Sequence, residues 1–214
     1  MPMPLIRGYR AVLAGLALAA IVYGLVVGLE GPRWSTADYF SYFTELSNLL
    51  AAGIFLAGAL RPRESRSPAF ELLRGAAVLY MLTTGIVYAA LLSGAHDSSP
   101  WANTVLHQVM PIAVALDWLI DPPRSPLEPR RAALRWMAFP ALYIAYTLLR
   151  GPLAHWYPYF FVSPHHPGGY LRVAVNCVAI ALGQVAMALA IVAVGNARAG
   201  LRPTRAEAAR ATPP

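Results

Sequence analysis

The chain has 214 residues, 57% hydrophobic and 13% charged, where a soluble domain usually carries ~25% charge. A mean hydropathy of +0.49, with charge cleared from long windows, excludes an ordinary water-soluble domain and predicts an all-α, polytopic membrane protein. The single cysteine, Cys177, excludes an intrachain disulfide and a multi-cysteine metal centre, and the net charge of +7 comes without the interleaved aromatics of a nucleic-acid groove.

Six spans are predicted in chain order, at about 9–29, 39–60, 73–93, 101–120, 132–149 and 172–195. The first is free of charge between Arg10 and Glu30. It lacks a small-residue cleavage site and five spans follow it, so it is a membrane helix and not a signal peptide. The second is apolar except for Glu45 and a stripe of Ser41, Thr44 and Asn48 at helical spacing. The third is clean from Arg74 to Asp97, and the fourth carries Asn103, His107, Gln108 and Pro111, with Asp117 near its end. The fifth holds Arg135 and Pro140, and the sixth is clean again. Residues 196–214, rich in Ala, Arg and Pro, are expected to form a disordered cytoplasmic tail.

All 17 basic residues are Arg, and the Ala, Arg, Gly and Pro bias points to a GC-rich bacterial genome and hence a bacterial inner membrane. Fourteen of them fall on the N-terminal segment, the second and fourth connections and the tail; Arg33, Arg150 and Arg172 fall on the other side. The positive-inside rule then predicts both termini in the cytoplasm, with the arginines set against anionic headgroups. Trp34, Trp101 and Trp156 fall at outer ends and Trp118 and Trp136 at inner ends, as an aromatic belt would.

Polar side chains inside a bilayer are costly and mark function. Thr44 lies five residues past Tyr39, and His107 six past Trp101, so both sit roughly 8–9 Å below the outer ends of their helices. A hydroxyl attacks a carbonyl well only when a base takes its proton, which His can do at neutral pH. Pro111 lacks an N–H, so the His107 carbonyl should lose its helical partner and open a polar pocket there. Asn48, Asn103 and Gln108 are candidates for substrate binding or oxyanion support. Asp117 lies ~15 Å deeper than His107 and should meet an inner Arg. His155, His165 and His166 share a connection without a carboxylate, so no metal site is expected, and no cofactor is implied.

Three segments carry a family likeness: Phe43-Thr44-Glu45-Leu46-Ser47-Asn48, Leu106-His107-Gln108-Val109-Met110-Pro111 and Trp156-Tyr157-Pro158-Tyr159-Phe160-Phe161. They resemble bacterial six-helix proteins of the Pr6Pr type, related to the FAR-17a/AIG1-like membrane hydrolases, over most of residues 9–195. The resemblance implies an intramembrane hydrolase of long-chain, including hydroxy-fatty-acid, esters, with Thr44 and His107 as its catalytic pair. Glu45 and the segment Ser163–Gly169 depart from that pattern. A second reading is a small proton- or ion-coupled transporter using His107, Glu45 and Asp117, though no internal repeat is visible. A third is a non-catalytic lipid-binding or assembly protein.

Overall fold

The computed structural model describes residues 3–30, 35–94 and 99–200, so Trp34 and residues 201–214 of the expected tail lie outside the described residues. Six helices are long and apolar enough to cross a membrane, and no strand occurs among the described residues; the chain is an all-α six-helix membrane bundle. The first span is α1 (Met3–Leu29). A short α2 (Thr36–Tyr39) precedes the second, α3 (Phe43–Leu60). The third is α4 (Pro68–Val87), extended by a π turn at Tyr88–Leu92. The fourth runs through α5 (Pro100–Thr104), a π turn at Val105–Val109 and α6 (Met110–Ile120). The last two are α7 (Pro129–Ala154) and α8 (Gly169–Gly200).

Three predicted starts were late for one reason. Pro68, Pro100 and Pro129 open their helices at the first position, where a missing N–H and a fixed φ cost nothing. The second span starts later than expected because the chain breaks at Phe40–Tyr42 between α2 and α3. α2 is fixed by a Ser35–Asp38 capping box, by the Tyr39 hydroxyl donating to the Ile21 carbonyl at 2.8 Å, and by Arg150 on Asp38 at 2.7 Å. At the other end of the chain, α8 continues to Gly200, so residues 196–200 are helical and not tail. Asn196 holds that end by exchanging two hydrogen bonds with the Leu127 backbone, at 2.8 and 2.9 Å.

The end of the bundle that carries both termini is closed by a buried charge network. Arg10 of α1 grips Asp117 with two bonds, 2.7 and 3.0 Å, and reaches Asp121 at 2.8 Å. Arg74 of α4 bridges Asp117 at 2.8 Å and Glu71 at 2.7 Å. Arg63 and Arg66 close on Asp121 at 2.6 Å each. Burial by itself would raise the Asp121 carboxyl, but Arg74, with Arg10 and Arg66, outweighs it and holds the group well below the usual carboxylate range. Asp117 thus meets arginines at its own end of the bundle, as its depth suggested. The expectation that the arginines face headgroups fails for Arg10, Arg66 and Arg74, which are buried on carboxylates inside the protein.

The tryptophan belt is also corrected. Trp118 and Trp136 are buried, and each donates its indole N–H to a backbone carbonyl, Ile191 at 3.1 Å and Leu72 at 2.8 Å. They join helices inside the bundle, where an indole is tolerated once its donor is satisfied. Trp101, at the start of α5, is exposed.

Candidate functional site

Thr44 is the second residue of α3, and no side chain caps that helix. His107 sits in the middle of the π turn Val105–Val109. The two predicted residues meet: Thr44 Oγ1 lies 3.1 Å from His107 Nε2. The other ring nitrogen, Nδ1, is 3.1 Å from the Asn103 carbonyl. A carbonyl only accepts, so Nδ1 carries a proton, and in the neutral ring Nε2 is then unprotonated and faces the Thr44 hydroxyl. Tyr88 stacks on the imidazole at 4.3 Å and 28°, and Asn103 Nδ2 donates to the Tyr88 hydroxyl at 2.7 Å. The ring is therefore fixed by a hydrogen bond at one nitrogen and by an aromatic face.

A π turn widens the helix by one residue and is frequent at functional sites. Here the Met110 N–H reaches back to the Val105 carbonyl. One residue on, that register sets the Leu106 carbonyl opposite Pro111, which has no N–H. In that register a vacancy opens at the Leu106 carbonyl, next to the His107 carbonyl at which an α-helical register places it. Asn48 fills it, its Nδ2 donating to the Leu106 carbonyl at 3.1 Å and to the Thr44 carbonyl at 2.9 Å. One amide thus ties the helix of the hydroxyl to the turn of the imidazole.

The three candidates for oxyanion support differ in what they have left to offer. Asn48 spends both amide N–H groups as just described and positions Thr44, whereas Asn103 commits one of its two to Tyr88. Gln108 is exposed. Ser41 leaves the predicted stripe because the chain breaks before α3. Its hydroxyl donates to the Ala37 carbonyl at 2.6 Å and sits 2.7 Å from the Tyr146 hydroxyl. Glu45 is buried in the first turn of α3, and among the described residues its Oε2 has no hydrogen-bond partner.

Tyr159 carries no role in the sequence reading, yet its hydroxyl stands 3.4 Å from both Thr44 Oγ1 and the Thr44 N–H. It arrives on the connection between α7 and α8, which folds back over this end of the bundle. That connection is held by Tyr159 stacking on Phe161 at 5.0 Å and by Asn176 donating to the Phe161 carbonyl at 2.8 Å. The histidines of the same connection do not converge. His155 takes a left-handed φ of 50° at the end of α7, His165 packs on Tyr157 and His166 on Phe160.

Beside Thr44 and Tyr159 lies a cavity of about 400 Å³ between α4, α7 and α8. Its wall is mainly apolar, with Val87, Ile144, Val162 and Ile180 among the lining groups, and Thr83, Thr84 and Gln184 form a small polar patch. That size lies within the range of small-molecule sites. His107 does not line it, so Thr44 stands between the base on one side and the cavity on the other. Comparison with protein-family models, curated proteins and solved structures gave no match.

Proposed function

We propose that the chain is an intramembrane hydrolase of long-chain esters, with Thr44 as nucleophile and His107 as general base and then acid. The observation that carries this reading is the Thr44–His107 contact of 3.1 Å at the rim of an apolar cavity. The Nδ1–H bond to Asn103 leaves Nε2 of the neutral ring unprotonated and facing Thr44 Oγ1, so the proton of the attacking hydroxyl has a receiver. Thr44 Oγ1 attacks the ester carbonyl carbon and its proton passes to His107 Nε2. The tetrahedral intermediate collapses as His107 returns that proton to the leaving alkoxide, giving an alcohol and an acyl-threonine. Water, deprotonated by His107, then cleaves the acyl-threonine, releases the fatty acid and restores the hydroxyl.

The developing oxyanion needs a donor, and the Tyr159 O–H, 3.4 Å from Thr44 Oγ1, is the group the geometry offers. The apolar cavity suits an acyl chain and offers nothing to a sugar or a charged peptide. The resemblance to FAR-17a/AIG1-like hydrolases supports the same pair and the same ester class. The arginine pattern supports placing the Thr44 end outside the cytoplasm in a bacterial inner membrane, so that substrate enters from the outer leaflet. A relay through Asp117 is less well supported, because that carboxylate is held by Arg10 and Arg74 at the opposite end of the bundle.

The test uses purified protein in detergent with a panel of long-chain esters, hydroxy-fatty-acid esters included. Thr44→Val and His107→Ala should each fall to background, and the double variant should be little worse than either, because the pair acts as one unit. Thr44→Ser should keep part of the turnover. Equal background hydrolysis by wild type and Thr44→Val on every ester would overturn the proposal.

A further inference from the structure

On one face of the bundle, α7 meets α4 through Trp136 and through Tyr80, whose hydroxyl donates to the Trp136 carbonyl at 2.7 Å. The Trp136 ring occupies the space left by the missing side chain of Gly75, where a Cβ would fall 2.2 Å from the ring. The Trp136 N–H is tied to the Leu72 carbonyl at 2.8 Å. α3 does not close over this junction, and a groove of about 300 Å³ remains between α3, α4 and α7. Leu46, Leu50 and Leu73 are among its walls, and Trp136 and Phe139 line it from α7.

One charged residue lines the groove, Arg135. Its side chain is exposed and has no hydrogen-bond or ion-pair partner among the described residues, whereas Arg10, Arg63, Arg66, Arg74 and Arg150 all have carboxylates. Along α7, Arg135 lies about 9 Å from the end that carries both termini, and along α3, Leu46 lies about 21 Å from it. The groove therefore runs roughly 12 Å inward from its cation, in the direction an acyl chain takes below its phosphate. A basic pocket between membrane helices is a known form of anionic headgroup site.

We infer that this groove binds one anionic glycerophospholipid from the leaflet at the termini end, its phosphate on Arg135 and an acyl chain against Leu50 and Phe139. The site is separate from Thr44 and His107. Phe43, which packs on Phe139 at 5.3 Å and lines the cavity, stands between the two spaces.

The experiment is a lipid titration of the full chain in neutral detergent, read by native mass spectrometry and by thermal unfolding, with phosphatidylglycerol and phosphatidylcholine in parallel. Phosphatidylglycerol should bind and raise the unfolding temperature more than phosphatidylcholine, and inorganic phosphate alone should have no effect. Arg135→Gln should weaken phosphatidylglycerol about fivefold, the loss of one cation near a lipid surface. Arg135→Lys should retain most of the preference, and Arg130→Gln, outside the groove, should retain all of it. Equal binding of the two lipids, an undiminished preference in Arg135→Gln, or a second copy of the chain cross-linked over Leu73 would each overturn the inference.

Discussion

Replacing Asn48 by Leu, close in shape, removes the amide that joins α3 to the π turn. Two bonds are lost, at 2.9 Å to Thr44 and 3.1 Å to Leu106. The Thr44 carbonyl keeps its own helical partner, so that loss is about 0.5–1 kcal/mol. The Leu106 carbonyl faces Pro111 and has no substitute inside the protein, which costs about 1–3 kcal/mol. Part of this is offset, because Asn48 Oδ1 is buried without a partner in the native protein and disappears with the substitution. The net loss of stability should be about 1–3 kcal/mol, measured by thermal unfolding in detergent. The catalytic effect should be larger. Without the amide the hydroxyl and the imidazole drift, and a displacement of about 1 Å lowers turnover roughly a hundredfold. Ser47→Ala, one residue away, removes a buried hydroxyl that has no partner and should leave both quantities nearly unchanged. If Asn48→Leu unfolds earlier yet keeps kcat within about twofold of wild type, Asn48 does not position the pair and the reasoning fails.

Gly85→Ala should disturb the same turn from the α4 side, since the new methyl would stand 3.1 Å from Pro111 Cβ and 3.3 Å from the His107 carbonyl oxygen. Turnover should fall about tenfold with a loss of about 1 kcal/mol, whereas Gly53→Ala, which meets open space, should be neutral or stabilising; equal behaviour of the two in ester hydrolysis and thermal unfolding would count against the tight contact. Asp121→Asn should cost about 3–5 kcal/mol at neutral pH by leaving Arg10, Arg63 and Arg66 without their shared partner. Because the folded Asp121 carboxyl is held low, its contribution is fully present above the ordinary aspartate range, begins to fall as pH enters that range, and is lost as pH falls on through the lowered folded value. Thermal unfolding should therefore show a gap between wild type and Asp121→Asn that is flat from about pH 8 to 5 and narrows below about pH 4; a gap that widens in acid would refute the assignment.

Much of the fold was legible because length and hydropathy alone demand it. A window of about 20 apolar residues leaves a chain few options but a spanning helix, and Glu45 and Arg135 did not hide the second and fifth spans. Thr44 and His107 could be brought together on paper because rise per residue converts sequence position to depth. The amides could not be assigned in that way. Which group Asn48 bonds depends on a π turn, and nothing in the periodicity of Val105–Val109 announces that its register slips by one. Tyr159 was missed for a different reason. It returns to the site on a connection, 115 residues from Thr44, and no local pattern states where a connection folds back. Trp118 and Trp136 misled because a tryptophan near a helix end reads the same whether it faces lipid or a neighbouring helix.

The charge network at the termini end also constrains how the protein is made. Arg10 is synthesised 107 residues ahead of Asp117, so the first helix waits for its counter-ion until the fourth has emerged. In that interval the guanidinium is uncompensated, a penalty that reaches about 2.5–3.5 kcal/mol at mid-bilayer and falls toward the interface. A chain that stops short of Asp117 should therefore leave Arg10 uncompensated, and its first helix should sit in a bilayer less stably than in the finished bundle.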